Sequence, residues 1–320
     1  MSAEHETFSA LQPPYAVAKV ERLRAEKQRL VYYTNADTAV KVIRHQEVWM
    51  RNVCVMNDYA EVTHGLGVLE TVLRDGGAGR LFAVLDAIFP RISDEFLSQL
   101  VRRRDSLQLD TFIACFSEHY DREDELGRLS MWRAYGGDSG VALVFNSDAA
   151  LSESDVFSAY TAPVLYGGSR EVEEQLAGMA EAAERVGDQI RRCSGDYVMA
   201  CLLSSFQALA LATKHPAFRE EQEWRVITNP ALGVSGELKT EIESIGGLPQ
   251  RVIKLPLKDY PDQGLVGLEL RKSLDRVIIG PTEFPYVIFD SLIDAMKGVG
   301  IDNPSSKIAV SHVPLRYPRR

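Results

Sequence analysis

From Tyr197 to Ala212 the chain is apolar around nearly every side of a helix, broken only by Ser204, Ser205 and Gln207. A run of about sixteen residues falls short of the ~20 that a membrane span needs, so it reads as a helix that sits inside the molecule. The rest of the chain suits such a molecule. Its 320 residues are 45% hydrophobic and 25% charged, which excludes a disordered chain, a collagen-like chain and a coiled coil. The formal net charge of −9 and pI near 5.3 exclude a generalised nucleic-acid-coating role. Arg102-Arg103-Arg104 and Arg319-Arg320 are the only dense basic patches, and both read as solvated charge.

Hydrophobic periodicity orders the remaining elements. Tyr15 to Arg29 carries a rough helical stripe of Val17, Val20 and Leu23, and a strand at 30–34 follows. Asp37 is placed to cap a helix carrying Ala39, Val40, Val42 and Ile43. Val48-Trp49-Met50 reads as a strand, Tyr59 to Leu73 as a helix, and Arg80 to Arg104 as helical with a break at Pro90. Asp110 to Ser117 and Gly140 to Phe145 read as interior strands. Arg170 to Thr213 holds two helices, parted near Ser194-Gly195. The later strands are expected at Val226-Ile227, Arg251 to Leu255, Leu265 to Leu270, Arg276 to Ile279 and Lys307 to Val310, with a last helix from Pro285 to Lys297. Strands and helices mix without a strict βαβ alternation. The expected class is therefore α+β, a single mixed or antiparallel sheet core flanked by helices. An N-terminal helical segment, 1–29, precedes one domain, 30–316, with a helical insertion at about 170–213. The apolar second half of that insertion leaves room for a homo-oligomer interface.

Several standard chemistries are missing from the sequence. There is no GxxxxGK[ST] run, and Gly76-Gly77-Ala78-Gly79 follows a helix rather than a strand. The six histidines form no HExxH, and the four cysteines no CxxC, so no metal is expected. Gly137-Asp138-Ser139-Gly140 copies the surroundings of a serine-protease nucleophile, but glycine and aspartate before a strand are ordinary turn chemistry. Met1 to Pro14 has no apolar core of a secretory signal. Four reduced thiols and a cytoplasmic location away from membranes are the expectation.

What remains is a scattered polar and aromatic set: Tyr32-Tyr33-Thr34 at a strand end, Asn57-Asp58-x-x-Glu61 at a helix start, and Phe116-Ser117-Glu118 where a strand emerges. Trp132-x-x-Tyr135 places two aromatics one helical turn apart. The last member runs from Lys214 to Arg225. Read as a strand, Glu221, Glu223 and Arg225 share one face there, while Trp224 and Val226 point to the other. These features fall at strand ends and adjoining turns, where binding groups on rigid scaffolds concentrate.

In this order the motifs, with the later Ile278-Ile279-Gly280-Pro281 and Ser311-His312-Val313-Pro314-x-Arg316, resemble a bacterial family of unknown function, the domain numbered twenty-nine seventy-one, over about residues 30–316. Members of that family occur among suspected phage-defence and toxin-like genes, so a role as such an effector is implied. The set is also similar to the ADP-ribosyltransferase pattern, although Tyr32 and Tyr33 stand where that pattern has Arg or His, and Ser117 lacks the full Ser-Thr-Ser run. This second resemblance implies an ADP-ribosyltransferase-like fold and NAD as substrate. Glu223 would be the catalytic carboxylate and Glu221 the acceptor-side one. Tyr33 and Thr34 would hold the nicotinamide end, Ser117 would support the glutamate, and Trp132 or Tyr135 would stack on the ring. Arg225 would pair with the pyrophosphate or neutralise the two glutamates. The partner is then NAD with a macromolecular acceptor of unknown identity, and the reaction is ADP-ribosyl transfer or NAD glycohydrolysis.

Two other classes compete. A metal-dependent nuclease would use Asp58, Glu61, Glu221 and Glu223 as magnesium ligands, although it lacks a lysine or histidine near the late acids. Asn57, Asp58, Glu61 and Lys214 make a further possible site. A non-catalytic module would use the Trp and Tyr groups to sense a nucleotide or a partner.

Overall fold

The computed structural model describes residues 2–56, 59–152, 154–233 and 235–315, and leaves the side chains of 59–62 undescribed. The chain divides into two compact units. One is made of Met1–Glu21, Asn52–Thr111 and Ala162–Arg219, the other of Arg22–Arg51, Phe112–Thr161 and Glu220–Arg320. The sequence reading has one domain with an insertion at about 170–213. In the structure those helices join two sequence-distant stretches, so no linker composition marks the division.

The first unit is mainly helical. Its centre is the helix Gly195–Leu211, whose Val198, Leu202, Phe206 and Ala210 are all buried. Ser194 starts it by accepting the Tyr197 N–H on its hydroxyl, which satisfies a donor that the first turn leaves without a helical partner. The helices Tyr59–Arg74 and Ile92–Leu109 pack on it. Phe206 meets Phe96 edge to face at 4.6 Å. The expected internal helix is therefore present, buried without any need of lipid. Among the described residues no helix is long and apolar enough to cross a membrane.

Among the described residues the strands, in chain order, are β1 Arg29–Asn35, β2 Glu47–Asn52, β3 Phe112–His119, β4 Gly140–Phe145, β5 Ala159–Pro163, β6 Leu165–Tyr166, β7 Thr213–Lys214, β8 Glu223–Thr228, β9 Lys239–Ile245, β10 Leu248–Pro256, β11 Leu274–Ile279 and β12 Ile308–Val310. In the first unit β6 and β7 form a short parallel pair. The second unit is built on a mixed, largely antiparallel sheet in the order β12-β11-β4-β1-β3-β2-β10-β9, with β8 alongside β3 and β5 alongside β8. The α+β expectation holds.

Alternation along these strands sorts side chains onto two faces. One face carries Val141, Leu143, Phe112 and Ala114 and is covered by helices Ala36–His45 and Pro285–Gly298, which supply Ile43, Leu292 and Met296 to the same core. The other carries Val31, Tyr33, Ala142, Val144 and Ile278, packed with Met131 and Trp132. Two local expectations change. Asn35, not Asp37, caps the helix at 36–45, because its side-chain oxygen accepts the Thr38 N–H at 2.9 Å. Leu265 to Leu270 is not a strand. Gly264 and Gly267 adopt positive φ, which breaks extended pairing, and Leu270 opens a helical turn instead.

Candidate functional site

Four strands place the central residues. Val144 on β4 lies opposite Val31 on β1, Val31 opposite Ser117 on β3, and Ser117 opposite Glu223 on β8. Directly paired positions share a face, so this row crosses the sheet on the side that carries Tyr33. Two residues along β8, Arg225 is on the same face, opposite Cys115. The structure thus brings together Tyr33, Ser117, Glu223 and Arg225. Thr34 does not join them. As the neighbour of Tyr33 it points to the opposite face, paired with Val141, beside Tyr32, whose phenol burial pushes up to about 12.

Glu223 and Arg225 form an ion pair out of solvent. The Arg225 Nε donates to Glu223 Oε1 at 2.8 Å and Nη2 donates to Oε2 at 3.2 Å, with the side chains 1% and 5% exposed for Arg225 and Glu223 respectively. A charge this deep needs such a partner, since desolvation alone costs several kcal/mol per ion. Glu221 departs from the expected strand face. It ends a 3₁₀ turn, Pro216–Glu221, and Gln222 follows with φ of +48°. Alternation therefore begins only at Glu223. Glu221 is half-buried and accepts a 3.2 Å hydrogen bond from the Tyr135 hydroxyl.

The two aromatics of the Trp-x-x-Tyr motif have separate fates. Tyr135 is 36% exposed, within the π-helical turn Trp132–Gly136. Trp132 is 0% exposed. Its indole N–H donates to the Leu126 carbonyl, and its ring meets Tyr33 edge to face at 4.9 Å. A Cβ at Gly127, Gly140 or Gly280 would fall within 3.1 Å of the indole ring. Trp132 is therefore a core residue, whereas Tyr135 keeps part of its ring open to solvent. Burial holds the Tyr33 phenol far above its ordinary range, and its hydroxyl oxygen accepts the Arg128 backbone N–H at 2.8 Å.

Around this row lies a polar framework of which sequence reasoning marked only Glu118. Glu118, buried on the opposite face, accepts from the Arg22 guanidinium at 2.6 Å, the Tyr120 hydroxyl at 2.9 Å and the Trp224 indole at 3.2 Å. Arg128 is buried and donates to Glu123, to the carbonyls of Glu118, Glu220 and Glu221, and to the side chain of Gln222. His119 faces Asp124 through Nε2 at 2.8 Å, while its Nδ1 has no hydrogen-bond partner and stands 3.8 Å from Glu123. Burial lowers the His119 pKa most strongly; Arg29 lowers it too, and Asp124 and Glu123 raise it. The sequence signal was the Phe116-Ser117-Glu118 motif at a strand end, which did not extend to His119. Arg128 gave none.

The other expected site residues fall elsewhere. Asn57 and Asp58 lie outside the described residues, as does the side chain of Glu61. Lys214 belongs to the first unit, where it is 1% exposed with its ammonium 4.6 Å from the Phe218 ring centroid. Among the described residues no three His, Cys, Asp or Glu side chains are gathered in a way that could hold a metal ion. None of the four cysteines is in a disulfide.

Residues 131–226 match the family model described as a protein of unknown function, DUF2971, which supports membership of that family. The matched stretch contains Trp132, Tyr135, Glu221, Glu223 and Arg225. No curated protein and no solved structure matches the chain.

Proposed function

We propose that this chain, which carries the DUF2971 pattern over 131–226, consumes NAD as an ADP-ribosyltransferase or NAD glycohydrolase, in the role of a toxin or defence effector. The observation that carries the reading is the pairing of Ser117 with Glu223 on the face that also holds Tyr33. Breaking the nicotinamide–ribose bond builds oxocarbenium-like positive charge, as in glycoside hydrolysis. A carboxylate fixed where that charge develops stabilises it without reorganising. In this reading Arg225 orients Glu223, Tyr135 offers a ring face to the nicotinamide, and Glu221 sits at the acceptor side.

The test is nicotinamide release from NAD by purified protein, beside Glu223→Gln, with and without cell lysate. Release by the wild type, lost by ~10²–10³ in Glu223→Gln, supports the reading. A requirement for lysate points to a macromolecular acceptor rather than water. No release from folded protein under any condition overturns it. One observation favours a second reading, a binding module: both Glu223 oxygens already accept hydrogen bonds from Arg225. A rise in melting temperature with NAD, without turnover, would select that module.

A further inference from the structure

We infer that Arg128 is a positioning residue that fixes the backbone leading into Glu223, and with it Glu221 and Tyr33. The inference deepens the proposed NAD site and rests on that reading for its catalytic consequence.

Gln222 supplies the first argument. A left-handed backbone at φ +48° is unfavourable for a residue with a side chain and persists only where its surroundings over-determine it. Arg128 is the group that surrounds it. Its Nη1 donates to the carbonyls of Glu220 at 2.9 Å and Glu221 at 3.1 Å, and its Nη2 to the Gln222 side-chain oxygen at 3.1 Å. The same Nη2 donates to the Glu118 carbonyl at 2.7 Å, which ties the segment to β3. The Glu118 N–H donates back to the Gln222 carbonyl at 2.9 Å.

Charge supplies the second argument. Glu123 accepts from Nε at 3.0 Å and from Nη2 at 3.1 Å, so the buried guanidinium is neutralised without using Glu221 or Glu223. Those two carboxylates are left to their own partners, Tyr135 and Arg225. The third argument is the backbone of Arg128 itself, whose N–H donates to the Tyr33 hydroxyl. One residue thus reaches both the strand that carries Tyr33 and the turn that carries Glu221. The planar fork is what allows it; a lysine ammonium is a point charge and does not reproduce such a set of directions.

The experiment compares wild type, Arg128→Lys and Arg128→Ala, each shown to be folded by a thermal melt. Amide hydrogen exchange is read at Glu118, with the β4 amides as an internal control, and nicotinamide release is read as kcat and KM. We expect Glu118 exchange to quicken by tenfold or more in both variants while β4 stays protected. We expect kcat to fall at least tenfold with KM within threefold, and added guanidinium to restore part of kcat in Arg128→Ala alone. Unchanged exchange at Glu118 overturns the inference. So does exchange that rises equally in β4, because Arg128 then only holds the unit together. If wild type releases no nicotinamide, the NAD reading fails, and the exchange comparison alone decides whether Arg128 places the segment.

Discussion

Arg225 and Glu223 lie two residues apart on β8, and the guanidinium donates to both carboxylate oxygens of its partner with almost no solvent on either side chain. Two residues apart on a strand means the same face, so the pair is set by strand geometry rather than by a loop.

A first prediction is energetic. Removing one member of a buried pair strands the other charge, at a cost of about 3–5 kcal/mol. Arg225→Met should therefore destabilise the chain by that order. Adding Glu223→Gln should return part of the loss, because the buried carboxylate that has lost its guanidinium is then neutral. Urea melts of the two single variants, the double variant and wild type measure the coupling. Strict additivity would mean that the two side chains do not interact.

A second prediction concerns pH. Burial lowers the His119 pKa below its ordinary 6.5 in the folded chain. Between the folded and unfolded values the unfolded chain binds more protons, so stability rises with pH in that window. The His119 contribution is full above about pH 6.5 and is lost as the pH falls toward the folded value. His119→Gln, which cannot take up the proton, should flatten the urea midpoint between pH 7 and 5 relative to wild type. Parallel midpoint curves for the two proteins would show that His119 takes up its proton alike in the folded and unfolded chains. Asp124 must be kept distinct. Burial raises its pKa, but hydrogen bonds from His119 and Arg29 outweigh that and hold it low, so its contribution is lost only at more acid pH, as pH falls below the ordinary carboxylate value through the lowered one.

The difference between what could and could not be read from the residues follows from physical range. The helix at Gly195–Leu211 and the strands β1, β3 and β4 were legible because burial imposes a period on neighbouring residues. The partnership of Ser117 with Glu223 was reachable only through the resemblance to ADP-ribosyltransferases, since register joins residues distant in the chain. Thr34 was misplaced by reading a tripeptide as a unit, whereas adjacent strand residues face opposite ways. Glu221 was misplaced because the positive φ of Gln222 leaves no mark in the residue types around it. Arg128 was silent for a related reason: half of its guanidinium hydrogen bonds go to backbone carbonyls of other segments, which leave no local pattern.

A third prediction tests the enclosure of Trp132. A Cβ at Gly280 would lie 2.8 Å from Cε3 of the indole, whose ring also lies close against Gly127 and Gly140. With little room to give, Gly280→Ala should destabilise by about 1–3 kcal/mol, the usual cost of overpacking. Gly79 begins a helix with nothing within 4 Å of its would-be Cβ. Gly79→Ala should be neutral, or stabilising by up to about 1 kcal/mol. Equal urea midpoints for the two variants would mean the ring has space that the structure does not give it.

The last prediction separates the aromatic and acidic groups by what they touch. If Tyr135 meets the nicotinamide, it does so through a ring face, worth about 0.5–2 kcal/mol against a cation. Tyr135→Phe keeps that face and loses the hydroxyl with its hydrogen bond to Glu221, so nicotinamide release should change by a few fold at most. Tyr135→Ala removes the face and should raise KM by about 2- to 30-fold, which is that energy expressed as binding. Glu223→Gln should act on kcat instead, by ~10²–10³. Trp132→Phe should alter the melting temperature while leaving KM in place, because the indole is closed to any ligand. A KM effect in Trp132→Phe as large as that in Tyr135→Ala, measured on folded protein, would return Trp132 to the binding surface and overturn its assignment to the core.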